Sequence, residues 1–521
     1  MTDEEQQKLA QTNANQEQAL DYLRRILLAP IYEVAVESDL TPLNKLSARL
    51  GNQIYLKRED QQPVHSFKLR GAYNKLANLT EAQCIHGVVA ASAGNHAQGL
   101  ALAAHKLGIK ATIVMPITTP EIKVDNVRRF GADVRLVGKS FNEAASACLQ
   151  IAKDENKTIV HPFDDIDVIA GQGTVAKEIL QQQTKCDVIF VPVGGGGLLA
   201  GMAVYLKQLR PNIKVIGVEA EDSACLKAAM EAGQPTDLDQ VGLFADGVAV
   251  KRIGEHTFNL IKQYCDDVIT VSTDEICASI KDIFEHTRVI AEPAGALSLA
   301  GLQKYCQSSE GDESLVAILS GANMNFHTLR YVSERCELGE QKEAVLAVTI
   351  PEEKGSFRRF CQALAGRVIT EFNYRQAQHD DNEKAHIFVG VRLSGQQERE
   401  TLIDVLQQQG YHVDDFTNNE LAKLHVRYMV GGQNPTAVQE RIFRFQFPEY
   451  PGALEKFLDT LGERWNISLF HYRNHGAAFG QVLAGFEVSN DDQLDFFNHV
   501  KTLDYAWQEE TNNQAYKAFL S

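Results

Sequence analysis

Four consecutive glycines, Gly194–Gly197, stand between two apolar runs, and this limits the possible folds more than any other feature. Before them lies Asp187-Val188-Ile189-Phe190-Val191; after them, Leu198–Leu209 has helical spacing. Val188–Leu206 is the most membrane-like stretch of the sequence. Pro192 and the glycines interrupt it, whereas a span needs ~20 continuous apolar residues. It reads as strand, loop and helix. Glycines in that loop let backbone N–H groups converge on an anion at the helix N-terminus. A plain tight turn or a dinucleotide loop fits as well. The GxGxxG spacing with an acidic residue about twenty positions on is not convincingly present.

The same alternation runs from about Glu17 to Arg335. Short apolar runs (Gly87–Ala91, Ala111–Met115, Asp187–Val191, Lys214–Val218) alternate with helical stretches such as Asn95–Leu107. Near-continuous apolar runs of this length suit parallel strands buried on both faces. This predicts an α/β class with an open parallel-sheet core in two lobes. The chain has 521 residues, and at roughly 150 residues per domain it should hold about three domains.

After Arg335 an internal repeat appears. The first copy begins Ala344-Val345-Leu346-Ala347-Val348-Thr349-Ile350-Pro351-Glu352 and the second Arg441-Ile442-Phe443-Arg444-Phe445-Gln446-Phe447-Pro448-Glu449. Gly355, Phe360 and Leu364 answer to Gly452, Phe457 and Leu461, and Tyr374-Arg375 to Tyr472-Arg473. Each copy closes near Thr-Asn-Asn, at Thr417 and at Thr511. Each reads strand, helix, strand, strand, helix, strand, a ferredoxin-like α+β unit. The expected division is a polar extension over 1–16, an α/β domain over 17–335, and regulatory units over 336–430 and 431–521.

Composition narrows the function. A formal charge of −17 and a pI near 5.4 argue against nucleic acid and against an anionic membrane surface. The nine cysteines are dispersed, without paired spacing, which suits reduced thiols in a cytoplasmic protein. No metal site is suggested. Met1–Gln16 lacks the apolar core of a signal peptide.

The chemistry centres on Lys68 in His65-Ser66-Phe67-Lys68-Leu69-Arg70-Gly71-Ala72. Ser66 is a good N-cap, and Lys68 falls in the first turn of a helix. The helix dipole and burial both favour the neutral amine that a Schiff base requires. An ordinary surface lysine at a helix start has the same spacing. Together with a phosphate cradle at Gly194–Gly197, it matches what pyridoxal phosphate needs. Ser92-Ala93-Gly94-Asn95 joins a strand to a helix and offers small residues and an amide for a carboxylate and a ring hydroxyl. Ser320, in Ser320-Gly321-Ala322-Asn323, is placed to meet a pyridine nitrogen. Taken in isolation, an ordinary turn is the favoured reading of both segments. His161 reads as a core or pocket histidine. Asp164-Asp165 and Glu352-Glu353 read as solvated loops.

In this order the motifs resemble the fold-type II pyridoxal phosphate enzymes and, within them, the biosynthetic threonine deaminases. The resemblance runs from about Glu17 to the C-terminus. It rests also on Lys57-Arg58-Glu59-Asp60, Gly171-Gln172-Gly173-Thr174, Glu219–Asp222, Phe244–Val250 and Glu292-Pro293-Ala294-Gly295-Ala296. It implies that Lys68 carries pyridoxal 5'-phosphate and is the catalytic base. It implies that Gly194, Gly195, Gly196, Gly197 and Leu198 hold the phosphate, that Asn95 meets the ring hydroxyl, and that Ser320 meets the ring nitrogen. Ser92, Ala93, Gly94 and Asn95 would hold the carboxylate of L-threonine, with L-serine as the alternative substrate. The tandem units resemble ACT-like sensing domains, which implies isoleucine as inhibitor, valine as activator and a homotetramer. Gly355, Phe357, Phe372, Asn373 and Tyr374 are the effector-contact candidates, although for Phe357 hydrophobic packing within the repeat fits equally. Other lyases and racemases of the fold, a sensor without catalysis and a nucleotide-dependent enzyme are the competing readings. The tandem domain disfavours the first, the intact Lys68, Asn95 and Ser320 the second, and the lack of Gly-Lys-Ser/Thr after the glycines the third.

Overall fold

The computed structural model describes residues 3–326, 328–351, 356–364, 367–374, 384–426, 440–448, 457, 465, 467–474, 479–503 and 505–520. The chain divides into two compact units, Met1–Met324 and Asn325–Ser521.

The first unit holds two sheets. Strands β1 (Leu40–Pro42), β2 (Gln53–Arg58), β7 (Val188–Pro192), β8 (Lys214–Ala220), β9 (Asp267–Val271) and β10 (Ser314–Leu319) form one, in the order β1-β2-β10-β7-β8-β9. Within it only β1 runs antiparallel to its neighbour. Strands β3 (Val88–Ala91), β4 (Ala111–Met115), β5 (Asp133–Leu136) and β6 (Thr158–Ile159) form a second, all-parallel sheet in the order β5-β4-β3-β6. The apolar runs of β4, β7 and β10 are buried along their whole length, because helices cover both faces of a parallel sheet. These are the two lobes expected. Strands β1, β2, β5, β6 and β9 escaped the sequence reading; they are short or only partly apolar.

Glycine seams let the helices approach. A Cβ on Gly71 would lie 2.4 Å from Gln172 Nε2, and one on Gly171 would lie 2.6 Å from the Arg70 carbonyl. One on Gly201 would lie 2.3 Å from the Ile169 carbonyl. Gly171-Gln172-Gly173 is therefore a packing seam within the Ile166–Gln182 helix, which presses on the Lys68–Ala77 helix. The N-terminal segment forms a helix, Asp3–Leu28, that runs through the expected extension and into the first unit. Its residues Ala19, Tyr22 and Ile26 are buried at helical spacing in the large-lobe core.

The second unit carries the repeat. Strands β11 (Glu343–Pro351), β12 (Ile369–Tyr374), β13 (Lys384–Arg392) and β14 (His412–Asp415) form an antiparallel sheet in the order β12-β13-β11-β14. Strands β15 (Glu440–Pro448), β16 (Ile467–Asn474), β17 (Phe479–Glu487) and β18 (Ala506–Glu509) repeat it as β16-β17-β15-β18. Even the register irregularity recurs, between Ile369 and Glu371 and between Ile467 and Leu469. The Thr-Asn-Asn motifs have a structural explanation. Thr417 accepts from Val345 N and Thr511 from Ile442 N, both at 3.1 Å, and Asn419 donates to Asn513 Oδ1 at 2.7 Å. A shared core including Val345, Phe388, Phe416, Ile442 and Leu483 joins the two copies. Arg335, where the sequence texture changes, lies in the Thr328–Gly339 helix of this unit and pairs with Glu420 at 2.6 Å. Gly355 and Glu352-Glu353 lie outside the described residues. Phe357 falls in the Ser356–Ala363 helix, and Phe372, Asn373 and Tyr374 fall on β12.

Candidate active site

Four separate motifs meet around Lys68. Its helix starts at Lys68 itself, so Ser66 is not the boundary residue expected from the sequence; its buried hydroxyl nevertheless accepts from Lys68 N at 3.2 Å. His65 adopts a left-handed φ of 53°, which turns the chain at the entrance to this segment. Ser66 and Gly321 form an antiparallel bridge, and Phe67 N donates to the Ser320 carbonyl at 3.2 Å. This brings the Ser320–Asn323 segment alongside the lysine.

The Lys68 amine lies 3.5 Å from the Pro162 carbonyl and 5.1 Å from the Phe67 ring centroid. Burial pushes its pKa down to about 8, against the opposing pull of the Glu292 carboxylate. Pro162 is followed by Phe163, whose ring rests on the glycines. A Cβ on Gly195 would sit 2.2 Å from that ring, and one on Gly197 would sit 3.0 Å from the Phe163 carbonyl. Gly196 caps the Gly197–Leu209 helix with a left-handed φ of 88° and no side-chain hydrogen bond. The first N–H groups of that helix have no intrahelical acceptor. A floor of glycines, free helix-start donors and a neighbouring amine of lowered basicity fit a phosphate-bearing aldehyde cofactor.

Asn95 opens the Asn95–Leu107 helix at the C-terminal end of β3. Its Nδ2 donates to Glu292 Oε1 at 2.6 Å and its Oδ1 accepts from Asn323 Nδ2 at 2.8 Å. Ser92 Oγ accepts from Gly94 N at 3.4 Å, and a Cβ on Gly94 would meet nothing within 4 Å. Ser92, Ala93 and Gly94 thus edge an open space beside Asn95. Ser320 is buried, and its hydroxyl donates to the Ala294 carbonyl at 3.2 Å.

Two members of the site, Glu292 and His96, were given no role from the sequence. Glu292 is buried, and burial raises its pKa to about 7, with the Asp246 carboxylate adding to the shift. Its signal was an acid directly before a proline at a helix start. His96, next to Asn95, donates through Nε2 to the Val160 carbonyl at 3.1 Å; burial lowers its pKa to about 3, so it is neutral. His161 lines the lysine pocket: its Nδ1 accepts from Asp164 N at 2.8 Å, and burial lowers its pKa. Asp164-Asp165 is not merely a solvated loop, a correction to the sequence reading. Asp164 accepts from Glu255 N, His256 N and Thr257 N at 2.9–3.1 Å, capping a distant helix. Asp165 caps its own helix and pairs with Lys75 at 2.8 Å.

Comparison with known proteins agrees with this geometry. Residues 34–321 match the model of the pyridoxal-phosphate dependent enzymes, and residues 334–426 and 432–520 match the C-terminal regulatory domain of threonine dehydratase. A curated relative, the biosynthetic L-threonine dehydratase IlvA of Pasteurella multocida, is 58% identical over 96% of this chain and 97% of its own. The chain belongs to the biosynthetic threonine dehydratases. A solved structure of the processed form of threonine deaminase isoform 2 from Solanum lycopersicum is 47% identical, covering 62% of this chain and 89% of that one, with a TM-score of 0.61. Maize serine racemase is 31% identical over 60% of this chain and 96% of its own, with a TM-score of 0.57. The match to the regulatory domain of threonine dehydratase lies in this chain beyond the 60% of it that the racemase covers. Among the described residues no helix is long and apolar enough to cross a membrane.

Two predictions follow from the geometry around the lysine. Gly195→Ala should weaken pyridoxal phosphate binding by about one to two orders of magnitude, as overpacking costs about 1–3 kcal/mol. The new methyl group must displace Phe163, and with it Pro162 beside the lysine amine. A dissociation constant within threefold of the wild type, read by absorbance titration, would refute this. The second concerns pH. With a pKa of about 8 for Lys68, about one amine in ten is neutral at pH 7. Uptake of pyridoxal phosphate by the apoenzyme should therefore rise about tenfold per unit at low pH and level off above pH 8. A flat uptake rate from pH 6.5 to 9 would contradict it.

Proposed function

We propose that this chain converts L-threonine into 2-oxobutanoate and ammonia, the entry reaction of isoleucine biosynthesis. The observation that carries the proposal is the lysine amine of lowered basicity beside a glycine floor at a helix N-terminus. When bound, pyridoxal phosphate supplies the electron sink that allows a Cα–H bond to break. Lys68 would hold the cofactor, backbone N–H groups of Gly194–Leu198 its phosphate, and Asn95 and Ser320 its ring.

Ser92, Ala93, Gly94 and Asn95 orient the substrate carboxylate so that the Cα–H bond faces Lys68. The neutral Lys68 amine takes the α proton as general base. The β-hydroxyl leaves as water, taking up the proton that Lys68 has removed from Cα. The released enamine tautomerises and takes up one water, giving 2-oxobutanoate and ammonia, so the overall change is loss of ammonia from threonine. L-Serine fits the same contacts with one methyl group fewer.

Isoleucine is the inhibitor and valine the activator in this reading, with Gly355, Phe357, Phe372, Asn373 and Tyr374 as effector contacts. A coupling of about 1–3 kcal/mol between effector and active site is expected. The two matches to a threonine dehydratase regulatory domain support it. We place the enzyme in the cytoplasm as a homotetramer, with the catalytic domain in Met1–Met324 and the two regulatory units in Asn325–Ser521.

The test is an absorbance scan of the purified protein followed by L-threonine with and without isoleucine. A visible absorbance band from the bound cofactor and 2-oxobutanoate formation that isoleucine suppresses are expected. A yellow protein inactive on threonine would point to another reaction of the same fold. A protein unable to take up the cofactor would overturn the proposal.

A further inference from the structure

Asn95 is the only described residue assigned both to the ring and to the substrate carboxylate, and its amide is not free to turn. The reason starts at a backbone carbonyl. Asn323 Nδ2 lies 2.8 Å from the Val64 carbonyl, which can only accept. The same Nδ2 lies 2.8 Å from the Asn95 amide, so its second hydrogen goes there and the facing atom must be Oδ1. Asn95 Nδ2 is thereby turned to Glu292 Oε1 at 2.6 Å. One Nδ2 hydrogen is used on Glu292 and the other remains for the site.

Glu292 is held for this purpose. It lies at the N-cap of the Pro293–Cys306 helix, yet its side chain makes no cap hydrogen bond there. It also receives a hydrogen bond from the Asn323 backbone N–H. Gly321 leaves room for it, because a Cβ there would sit 2.2 Å from Glu292 Oε1. Its charged surroundings come from three other elements. Asp246, in the loop before the Glu255–Tyr264 helix, and Lys123, on the Glu121–Arg128 helix, pair with each other at 2.7 Å. Lys68 faces it from its own helix. Asp246 favours the protonated form of Glu292, while Lys123, Asn95 and the Asn323 N–H favour the carboxylate.

We infer that Glu292 is the positioning residue of this site: its carboxylate fixes the Asn95 amide so that Nδ2 donates into the cofactor space. The inference rests on the reading that Lys68 and Asn95 hold pyridoxal phosphate. Glu292 touches no reacting atom; it acts through Asn95. Burial brings its titration to about pH 7. A carboxylate accepts from Asn95 on either oxygen, whereas a protonated carboxyl carries its own donor and competes for the Asn95 oxygen. Cofactor affinity should therefore gain a component that improves as pH rises through about 7.

The test is the equilibrium dissociation constant of pyridoxal phosphate, by absorbance titration of the full-length apoenzyme from pH 6 to 8.5. Glu292→Gln removes the titration and, like the protonated carboxyl, always carries a donor. It should keep the weaker low-pH affinity of the wild type across the whole range and lose the component near pH 7. Glu292→Ala should bind at least tenfold more weakly at pH 8. The double variant Glu292→Ala/Asn95→Ala should bind no more weakly than Asn95→Ala alone, because the two residues act in series. Independent losses in the double variant, an unchanged Glu292→Ala, or a wild-type pH profile in Glu292→Gln would each overturn the role. Wild-type protein that takes up no pyridoxal phosphate would instead overturn the proposed function on which it rests.

Discussion

Lys68→Ala is expected to reduce 2-oxobutanoate formation from threonine by at least about 10⁴-fold. General-base catalysis alone is worth about 10²–10⁴, and in the proposed mechanism the same amine also attaches the cofactor. The variant should remain folded. Lys68 forms no ion pair among the described residues, its amine contacts only the Pro162 carbonyl and the Phe67 ring, and the residue is half-buried. Removing an amine that burial already penalises relieves a cost, so thermal stability of the apoprotein should change by less than about 1 kcal/mol. Isoleucine binding, measured by calorimetry, should persist. Normal turnover by the variant would end the mechanism, and loss of both turnover and isoleucine binding would show general misfolding instead.

Much of this site could be read from the chain because its chemistry lies in contiguous segments. The lysine motif, the glycine run and the Ser92–Asn95 turn each join an element end to a loop, and each element was visible from its apolar period. The tandem domain was legible for a different reason: two copies of one pattern reinforce each other, down to Thr417 and Thr511. What escaped was set by partners far apart in sequence. Asp164 looked like part of a solvated acidic loop, yet it caps a helix 91 residues away. Glu292 looked like a helix-start acid, yet its carboxyl turns to Asn95, 197 residues away. The N-terminal helix looked like a polar extension, because its buried residues Ala19, Tyr22 and Ile26 lie beyond the polar first sixteen residues. A residue's local pattern reports its element; its partner is decided by which elements the sheets bring together.

Arg70, two residues after Lys68, shows that limit most sharply and gives the largest structural prediction. Arg70, Glu59, Glu178 and Lys57 all have fully buried side chains. Arg70 pairs with Glu59 at 2.7 Å and with Glu178 at 2.5 Å, and Lys57 pairs with Glu178 at 2.7 Å. Two positive and two negative groups cancel. The remaining oxygen positions are filled by the Tyr32 hydroxyl on Glu178 at 2.9 Å and the Ser38 hydroxyl on Glu59 at 2.6 Å. The paired cations hold the Glu178 carboxyl below its ordinary pKa against the cost of burial. By sign, a depressed carboxyl contributes stability that is present above the unfolded pKa, about 4.3, and is lost as pH falls through the folded one. Arg70→Ala leaves Glu59 and Glu178 buried with the guanidinium between them removed. It should destabilise the first compact unit by about 3–5 kcal/mol, read as a lower urea midpoint for cofactor release. Arg70→Met with Glu59→Gln removes one charge of each sign, leaves the Lys57–Glu178 pair intact, and should recover a large part of that loss. If the double variant is instead no more stable than Arg70→Ala, the guanidinium contributes through packing of the lysine helix rather than through charge balance.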